Sequence, residues 1–284
     1  MAAEGPTPVD VTLLGTGCPP PNPRRRGPAT LVAHGGERCL VDAGSGVAVQ
    51  LQLAGVPVIE LRQVFLTHLH SDHVIDLGHL VLSRWILGEN APLAVYGPAG
   101  TAPHVERLLA LWEWDVGVRR AHMHDREGPR VTVTEVAEGP VYEGGGLAVT
   151  AFEVEHEPVK PALGFRFDAG GRRVVVSGDT RPCESLIRHA RDADVLVHEC
   201  TDASQTRWTP GCGWPSREAK VADIAAYHTG PDEVGRVAAR ARARTLVLTH
   251  LMPGSTAADL AARAAAGYGG RVVVGEDLMT VPVE

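Results

Sequence analysis

The stretch Thr67-His68-Leu69-His70-Ser71-Asp72-His73 follows a short apolar run and contains four potential metal ligands. Side chains of an extended strand alternate between two faces, so His68 and His70 could share a face that Asp72 and His73 could not both join. The chain must therefore turn within this stretch, and a turn can direct its ligands at two neighbouring points. Imidazole and carboxylate groups are typical ligands of catalytic zinc, so the pattern predicts a metal centre.

Short apolar runs recur along the chain, and each ends in a cluster of polar residues. They lie at 11–14, 38–41, 64–66, 174–176, 195–197 and 246–248. Continuous apolar runs of this length are typical of strands buried on both faces. Helical patterns are predicted at 45–54, 74–87, 231–243 and 256–266, and in the third a capping Thr229 precedes Pro231. The alternation between 130 and 176 predicts an antiparallel sheet.

These elements favour an α/β fold, a four-layer αββα sandwich in which helices cover two mixed sheets. We expect residues 1–284 to form one domain, because no linker or change in composition divides the chain. No run of about 18 apolar residues is present, so no membrane span is expected. Residues 1–6 lack the basic and apolar regions of a signal peptide, and five cysteines without a CxxC pair favour reduced thiols. We therefore expect a cytoplasmic protein.

The pattern His68-x-His70-x-Asp72-His73 resembles the HxHxDH motif of the metallo-β-lactamase superfamily. Further candidates follow predicted strands in the order of that family, at His156, Asp179 and His250. The resemblance implies one metal held by His68, His70 and His156, a second held by Asp72, His73 and His250, and a bridging Asp179. It implies two zinc ions per chain, with manganese or iron as alternatives. Two cations about 3.5–4 Å apart can activate a water and bind the oxygens of an in-line displacement.

Two further motifs resemble those of the ribonuclease Z branch of this superfamily and its small-substrate relatives. They are Val197-His198-Glu199-Cys200-Thr201 and Tyr227-His228-Thr229. By this resemblance Glu199 orients His228, and His228 protonates the leaving group or stabilises the transition-state oxyanion. A structural interpretation stays open, in which backbone donors satisfy a buried Glu199 and His228 only begins a helix. The predicted catalytic residues are Glu199, His228 and Asp72, and Asp72 is also a predicted metal ligand.

Two segments are candidates for substrate binding. The proline-rich segment 17–26 contains Arg24, Arg25 and Arg26, which could bind a phosphate or sulfate or could form a solvated basic turn. The segment 202–227 contains Trp208 and Trp214. These tryptophans could form a lid over an apolar leaving group, or they could pack against the body of the protein as anchors.

The first-ranked function is the hydrolysis of small phosphodiesters or related oxyanion esters. Aryl-sulfate hydrolysis and tRNA 3′ processing by a ribonuclease Z are the alternatives. Hydrolysis of lactones or β-lactams is disfavoured because those branches do not generally combine the Glu199 and His228 motifs, and a non-catalytic metal protein is disfavoured because every ligand is present. The branch resemblance also suggests a homodimer.

Transfer RNA is not the expected substrate, for two reasons. The interval 157–178 between His156 and Asp179 is too short for the arm with which ribonuclease Z binds tRNA. The chain also carries 27 Lys and Arg against 34 Asp and Glu, whereas binding of a polyanion depends on many basic contacts.

Overall fold

The structure, a computed structural model, describes residues 8–123 and 127–283. The predicted absence of a signal peptide concerns residues 1–6, which lie outside this range. The strands of the described part are β1 Val9–Gly15, β2 Ala29–His34, β3 Glu37–Val41, β4 Gln63–Phe65, β5 Leu93–Gly97, β6 Val131–Glu135, β7 Gly139–Gly144, β8 Leu147–Glu153, β9 Leu163–Ala169, β10 Arg172–Val176, β11 Val195–Glu199, β12 Thr245–Thr249, β13 Arg271–Val274 and β14 Met279–Val283.

Helices occupy six of the thirteen connections between these strands. They are α1 Val47–Leu53, α2 Ser71–Val74, α3 Leu77–Ile86, α4 Thr101–Leu111, α5 Glu113–Met123, α6 Glu184–His189, α7 Arg217–Ala225, α8 Pro231–Ala241 and α9 Ala257–Ala265, with short 3-10 turns at Val58–Glu60 and Ala203–Gln205. Among the described residues, no helix has the length and apolar character that crossing a bilayer requires.

Two seven-stranded sheets pack face to face in the described part of the chain. Their strand orders are β14-β1-β2-β3-β4-β5-β6 and β13-β12-β11-β10-β9-β8-β7. Apolar side chains fill the space between the sheets, among them Val11, Phe65, Phe165 and Val197. Separate apolar clusters lie between each sheet and its helices. The predicted αββα sandwich is confirmed.

The strands that precede the predicted ligands end at one edge of the sandwich. β3 and β4 are parallel, and so are β10, β11 and β12. β8 runs in the same direction as β10, because β9 lies between them and is antiparallel to both. Loops at the carboxyl ends of such strands are where functional groups of α/β proteins usually gather.

The predicted sheet at 130–176 needs a correction. β6 lies in the first sheet and pairs in parallel with β5, and the antiparallel run begins only at β7. Alternation shows that a strand is half-buried but does not identify its neighbour. The side chain of Glu135 strengthens the observed placement, because its Oε1 accepts hydrogen bonds from the backbone N–H groups of Gly100 and Ala102 at the start of α4.

Two predicted helix boundaries also differ from the structure. The region 74–87 contains the end of α2 and the whole of α3, because the chain bends at Asp76, whose side chain accepts a hydrogen bond from Gly46 N. Thr229 does not cap α8. Gly230 is the N-cap residue, and the Thr229 hydroxyl donates to the carbonyl of Thr180 instead.

An apolar surface remains uncovered on α4 and α5. Leu111 is 72% exposed and Trp114 is 79% exposed. These residues line a groove with Ile86 of α3. Exposed apolar patches of this kind often mark contacts with another molecule, and the expected homodimer stays a prediction.

Candidate metal centre and active site

The structure brings all the predicted metal ligands together at the carboxyl edge of the two sheets. They fall into two groups, and within each group the ligand atoms lie within 4.8 Å of one another. The first group contains His68, His70, His156 and Asp179, and the second contains Asp72, His73 and His250. Helix α2 explains how neighbouring residues reach different points, because it turns the chain immediately after His70.

The carboxylate of Asp179 lies between the two groups. Its Oδ2 atom is 3.8 Å from His68 Nε2 and 3.9 Å from His156 Nε2. The same oxygen is 3.3 Å from Nε2 of His73 and 3.3 Å from Nε2 of His250. Burial alone would raise the pKa of Asp179, but the adjacent His250 and His73 hold it well below its usual range. An ionised carboxylate in this position can offset repulsion between two nearby cations.

The ring nitrogens of this site fit metal ions. Nε2 of His68 and Nε2 of His73 are buried and have no hydrogen-bond partner within the described residues. Leaving such an atom unsatisfied is costly, and coordination of a cation would remove that cost. Burial, followed by neighbouring imidazoles, lowers the pKa of both His68 and His70. These rings are therefore neutral, which is the form that binds a metal.

A buried carboxylate, Asp42, supports the predicted ligands His68 and His73 through hydrogen bonds. Its Oδ2 accepts a hydrogen bond from His73 Nδ1 at 2.7 Å, and its side chain also accepts from the Thr67 hydroxyl. The Thr67 hydroxyl oxygen in turn lies 3.0 Å from His68 Nδ1. Both imidazoles thus donate through Nδ1, which directs Nε2 of each ring toward Asp179. Burial would lower the pKa of His73, but Asp179 and Asp42 raise it well above its usual range. The sequence analysis missed Asp42, although it directly follows the predicted strand 38–41.

Glu199 and His228 form a second buried unit beside the ligands. His228 Nδ1 lies 2.8 Å from Glu199 Oε1, and that oxygen also accepts the backbone N–H of Thr180 at 2.7 Å. A ring nitrogen of His228 lies within 4.8 Å of ligand atoms of Asp179 and His250. Burial would lower the pKa of His228, but Glu199 outweighs it and raises the pKa to about 9. His228 can therefore hold a proton at neutral pH.

Tyr227 connects this unit to the predicted metal ligand His156. Its carbonyl accepts a hydrogen bond from His156 Nδ1 at 3.1 Å. Its ring lies 5.3 Å from that of His156 and 4.8 Å from that of His228. The half-buried phenol thus lies beside His156 and His228. The sequence analysis singled out two tryptophans instead, although Tyr227 stands next to the predicted His228.

The three predicted arginines do not share one environment. Arg25 Nη1 donates to Thr16 Oγ1 at 2.5 Å and to the Gly275 carbonyl at 2.7 Å, so its guanidinium helps to hold its own loop in place. The side chains of Arg24 and Arg26 are exposed. The loop borders the site, because Thr16 accepts a hydrogen bond from the backbone N–H of Leu251, next to His250. Of the three predicted anion-binding arginines, Arg24 and Arg26 are therefore available to a ligand, whereas Arg25 is engaged within the protein.

Both predicted tryptophans use their indole N–H groups inside their own segment. Trp208 Nε1 donates to the carbonyl of Trp214 at 3.0 Å, and Trp214 Nε1 donates to Asp223 Oδ2 at 3.0 Å. Lys220 Nζ lies 4.9 Å from the centre of the Trp214 ring. These contacts favour the interpretation of the tryptophans as anchors that hold the segment against α7.

Comparisons with known proteins agree with this geometry. Residues 37–251 match the family described as Beta-lactamase superfamily domain. A protein named ribonuclease Z from Mycobacterium sp. (strain KMS) is 40% identical over 281 residues, which cover 97% of this chain and 96% of that protein. Another ribonuclease Z, from Mycobacterium avium (strain 104), is 40% identical over 283 residues, covering 97% of this chain and 99% of the relative.

Solved structures with the same fold cover almost the whole chain. The metallo-β-lactamase fold protein YhfI from Bacillus subtilis superposes with a TM-score of 0.75 at 23% identity, covering 97% of this chain and 99% of that one. The short form of human tRNase Z gives 0.70 at 24% identity over the same shares. A diphosphatase of the PhnP family gives 0.66 at 17% identity and covers 97% of each chain.

Proposed function

The chain belongs to the metallo-β-lactamase superfamily, in its ribonuclease Z-like branch, and on this premise we propose that it is a zinc-dependent endoribonuclease that processes tRNA 3′ ends. At the level of reaction class, the chain is a metal-dependent hydrolase of ester bonds. The observation that carries the finer function is the buried Glu199–His228 pair beside the ligands, in a chain 40% identical along nearly its whole length to proteins named ribonuclease Z.

Each residue has a distinct task in this reaction. When bound, two zinc ions supply an activated water and stabilise negative charge on the phosphate oxygens. His68, His70 and His156 would hold one ion, Asp72, His73 and His250 the other, and Asp179 both. Glu199 accepts the Nδ1 proton of His228 and so fixes that ring in place. His228 then delivers a proton to the departing oxygen, a task for which its raised pKa of about 9 is suited.

Hydrolysis of small phosphodiesters is the second candidate, and one observation favours it. Residues 157–178 are accounted for by a short loop and the hairpin of β9 and β10, which leaves no space for a protruding tRNA-binding arm. The identity to proteins named ribonuclease Z nevertheless supports tRNA processing over the hydrolysis of small phosphodiesters, which the sequence analysis had placed first. Their alignment covers 96% of a protein named ribonuclease Z, so a relative of nearly the same length carries that name. Aryl-sulfate hydrolysis has no comparable support.

A panel of substrates at equal enzyme concentration tests the proposal. It contains a precursor tRNA with a 3′ trailer, bis(p-nitrophenyl) phosphate and p-nitrophenyl sulfate, with the zinc, manganese and iron content measured on the same preparation. We expect trailer removal to give the highest kcat/KM. A diester rate far above that for the precursor would favour the second candidate, and a dominant sulfate rate would contradict both.

A further inference from the structure

Thr201 lies between the Glu199–His228 pair and the metal ligand His250. Its hydroxyl donates to Glu199 Oε2 at 2.8 Å, and the same oxygen is 3.0 Å from His250 Nδ1. The three side chains are almost completely buried, with exposed fractions of 3% for Thr201, 1% for Glu199 and 2% for His250. Water therefore does not compete for these hydrogen bonds.

The direction of the hydrogen bonds follows from the chemistry of the groups. An ionised Glu199 can only accept, so the Thr201 hydroxyl proton points to it. The Thr201 oxygen must then accept the Nδ1 proton of His250, which turns Nε2 of His250 toward Asp72 and Asp179. Nε2 lies 3.3 Å from Oδ2 of each of these carboxylates. A continuous chain of donors thus runs from His250 through Thr201 to the carboxylate that also binds His228.

The same arrangement occurs a second time on the other side of the centre. There the hydroxyl of Thr67 connects Asp42 to His68, while Asp42 directly binds His73. The two arrangements differ in one respect. Both histidines supported by Asp42 are predicted ligands, whereas Glu199 supports one predicted ligand, through Thr201, and the proton donor His228. The first arrangement serves metal binding alone, and the second connects metal binding to the proton-donating pair.

We propose that Thr201 is a positioning residue that couples the Glu199–His228 pair to the metal ligand His250. Through its hydroxyl, the negative charge of Glu199 strengthens the hold of His250 on its metal. Loss of that charge is expected to weaken metal binding only while the hydroxyl is present. This inference rests on the proposed metal centre but not on the identity of the substrate.

The test is a double-mutant cycle in which zinc affinity is measured, with no substrate present. Metal-free protein is titrated with zinc against a competing chromophoric chelator. Thr201→Val removes the hydroxyl with little change in side-chain size, and we expect the weaker zinc-binding step to lose about 10–100-fold in affinity. Thr201→Ser keeps the hydroxyl and should restore binding to within about threefold of the wild type. Glu199→Gln should weaken the same step in the wild-type background but not in the Thr201→Val background.

Thr67→Val is the matched control, because it removes the equivalent hydroxyl from the arrangement around Asp42. It should also weaken zinc binding, but its effect and that of Glu199→Gln should multiply independently. Independent effects of Thr201→Val and Glu199→Gln, or unchanged zinc affinity in Thr201→Val, would overturn the proposal. If Thr201→Val does not fold, Thr201→Ala takes its place in the cycle, and unchanged zinc affinity in that variant would overturn the proposal as well. Failure of tRNA cleavage alone would leave this coupling intact and would count against the proposed substrate.

Discussion

The Nδ1 atom of His228 lies 2.8 Å from Oε1 of Glu199, and the ring of His228 stacks 5.5 Å from that of the predicted metal ligand His250. A buried carboxylate therefore orients a histidine that borders the metal centre and is not needed to complete either predicted ligand group. Substitution of His228 can consequently remove the proton donor without removing a predicted metal ligand.

His228→Ala should keep the fold and the metal content but lose about 10²–10⁴ in kcat, the usual contribution of a general acid or base. The loss should shrink for diesters with good leaving groups, because these need little protonation. Turnover of diesters with leaving groups of graded acidity, together with elemental analysis, measures both effects. An equal loss across the series would assign His228 to oxyanion stabilisation instead.

The pH dependence of kcat/KM should show the raised pKa of His228. The proton donor is present below the pKa of about 9, so activity should fall as pH rises through that value. Glu199 is the main group that opposes the effect of burial on this pKa. In Glu199→Gln the descending limb should therefore move to lower pH. A limb that stays in place in this variant would show that another group controls it.

Metal content should respond differently to two ligand substitutions. Asp179 Oδ2 faces nitrogens of both groups, so Asp179→Ala should deplete both metals. His250 belongs with Asp72 and His73, so His250→Ala should mainly remove one. Elemental analysis of the two purified variants distinguishes these results. Fully active wild-type protein with a single metal would contradict the binuclear centre.

Arg25 should have a structural role, whereas Arg24 and Arg26 should bind substrate. Arg25→Ala removes the hydrogen bonds to Thr16 and Gly275 and should destabilise the protein by on the order of 1–2 kcal/mol. Arg24→Ala and Arg26→Ala should leave the unfolding temperature unchanged and raise KM for anionic substrates. Thermal unfolding and steady-state kinetics of the three variants test the division. An unchanged KM in both outer variants would remove the segment from the substrate site.

The sandwich could be predicted from the sequence because it depends on local pattern, whereas the ligand set came from the resemblance to a family motif, and the structure brings those side chains together. Apolar runs ending in His68, Asp179 and His250 indicate strands whose carboxyl ends carry functional groups. The pairing between strands was harder to predict from the sequence, as β6 shows. Its alternation is visible in the sequence, but its pairing with β5 depends on tertiary contacts such as the hydrogen bonds of Glu135 to the start of α4.

The supporting groups of the site were missed for a different reason. Thr201 contacts His250, which is distant in the sequence, and neither spacing nor composition distinguishes this threonine from any other. The same holds for the contact of Thr16 with Arg25, because three consecutive arginines look equivalent until the loop determines which one turns inward. Asp42 is the exception, since its place after a strand was a signal available from the sequence.

The measurement that tests the proposed function most directly is cleavage of a precursor tRNA with a 3′ trailer, followed by mapping of the new 3′ end. Wild-type protein with its metals should release the trailer at the discriminator base, and chelation or His228→Ala should suppress the same cut. A kcat/KM at least equal to that for bis(p-nitrophenyl) phosphate is the predicted result. Intact precursor under conditions in which the same preparation hydrolyses the diester would contradict it.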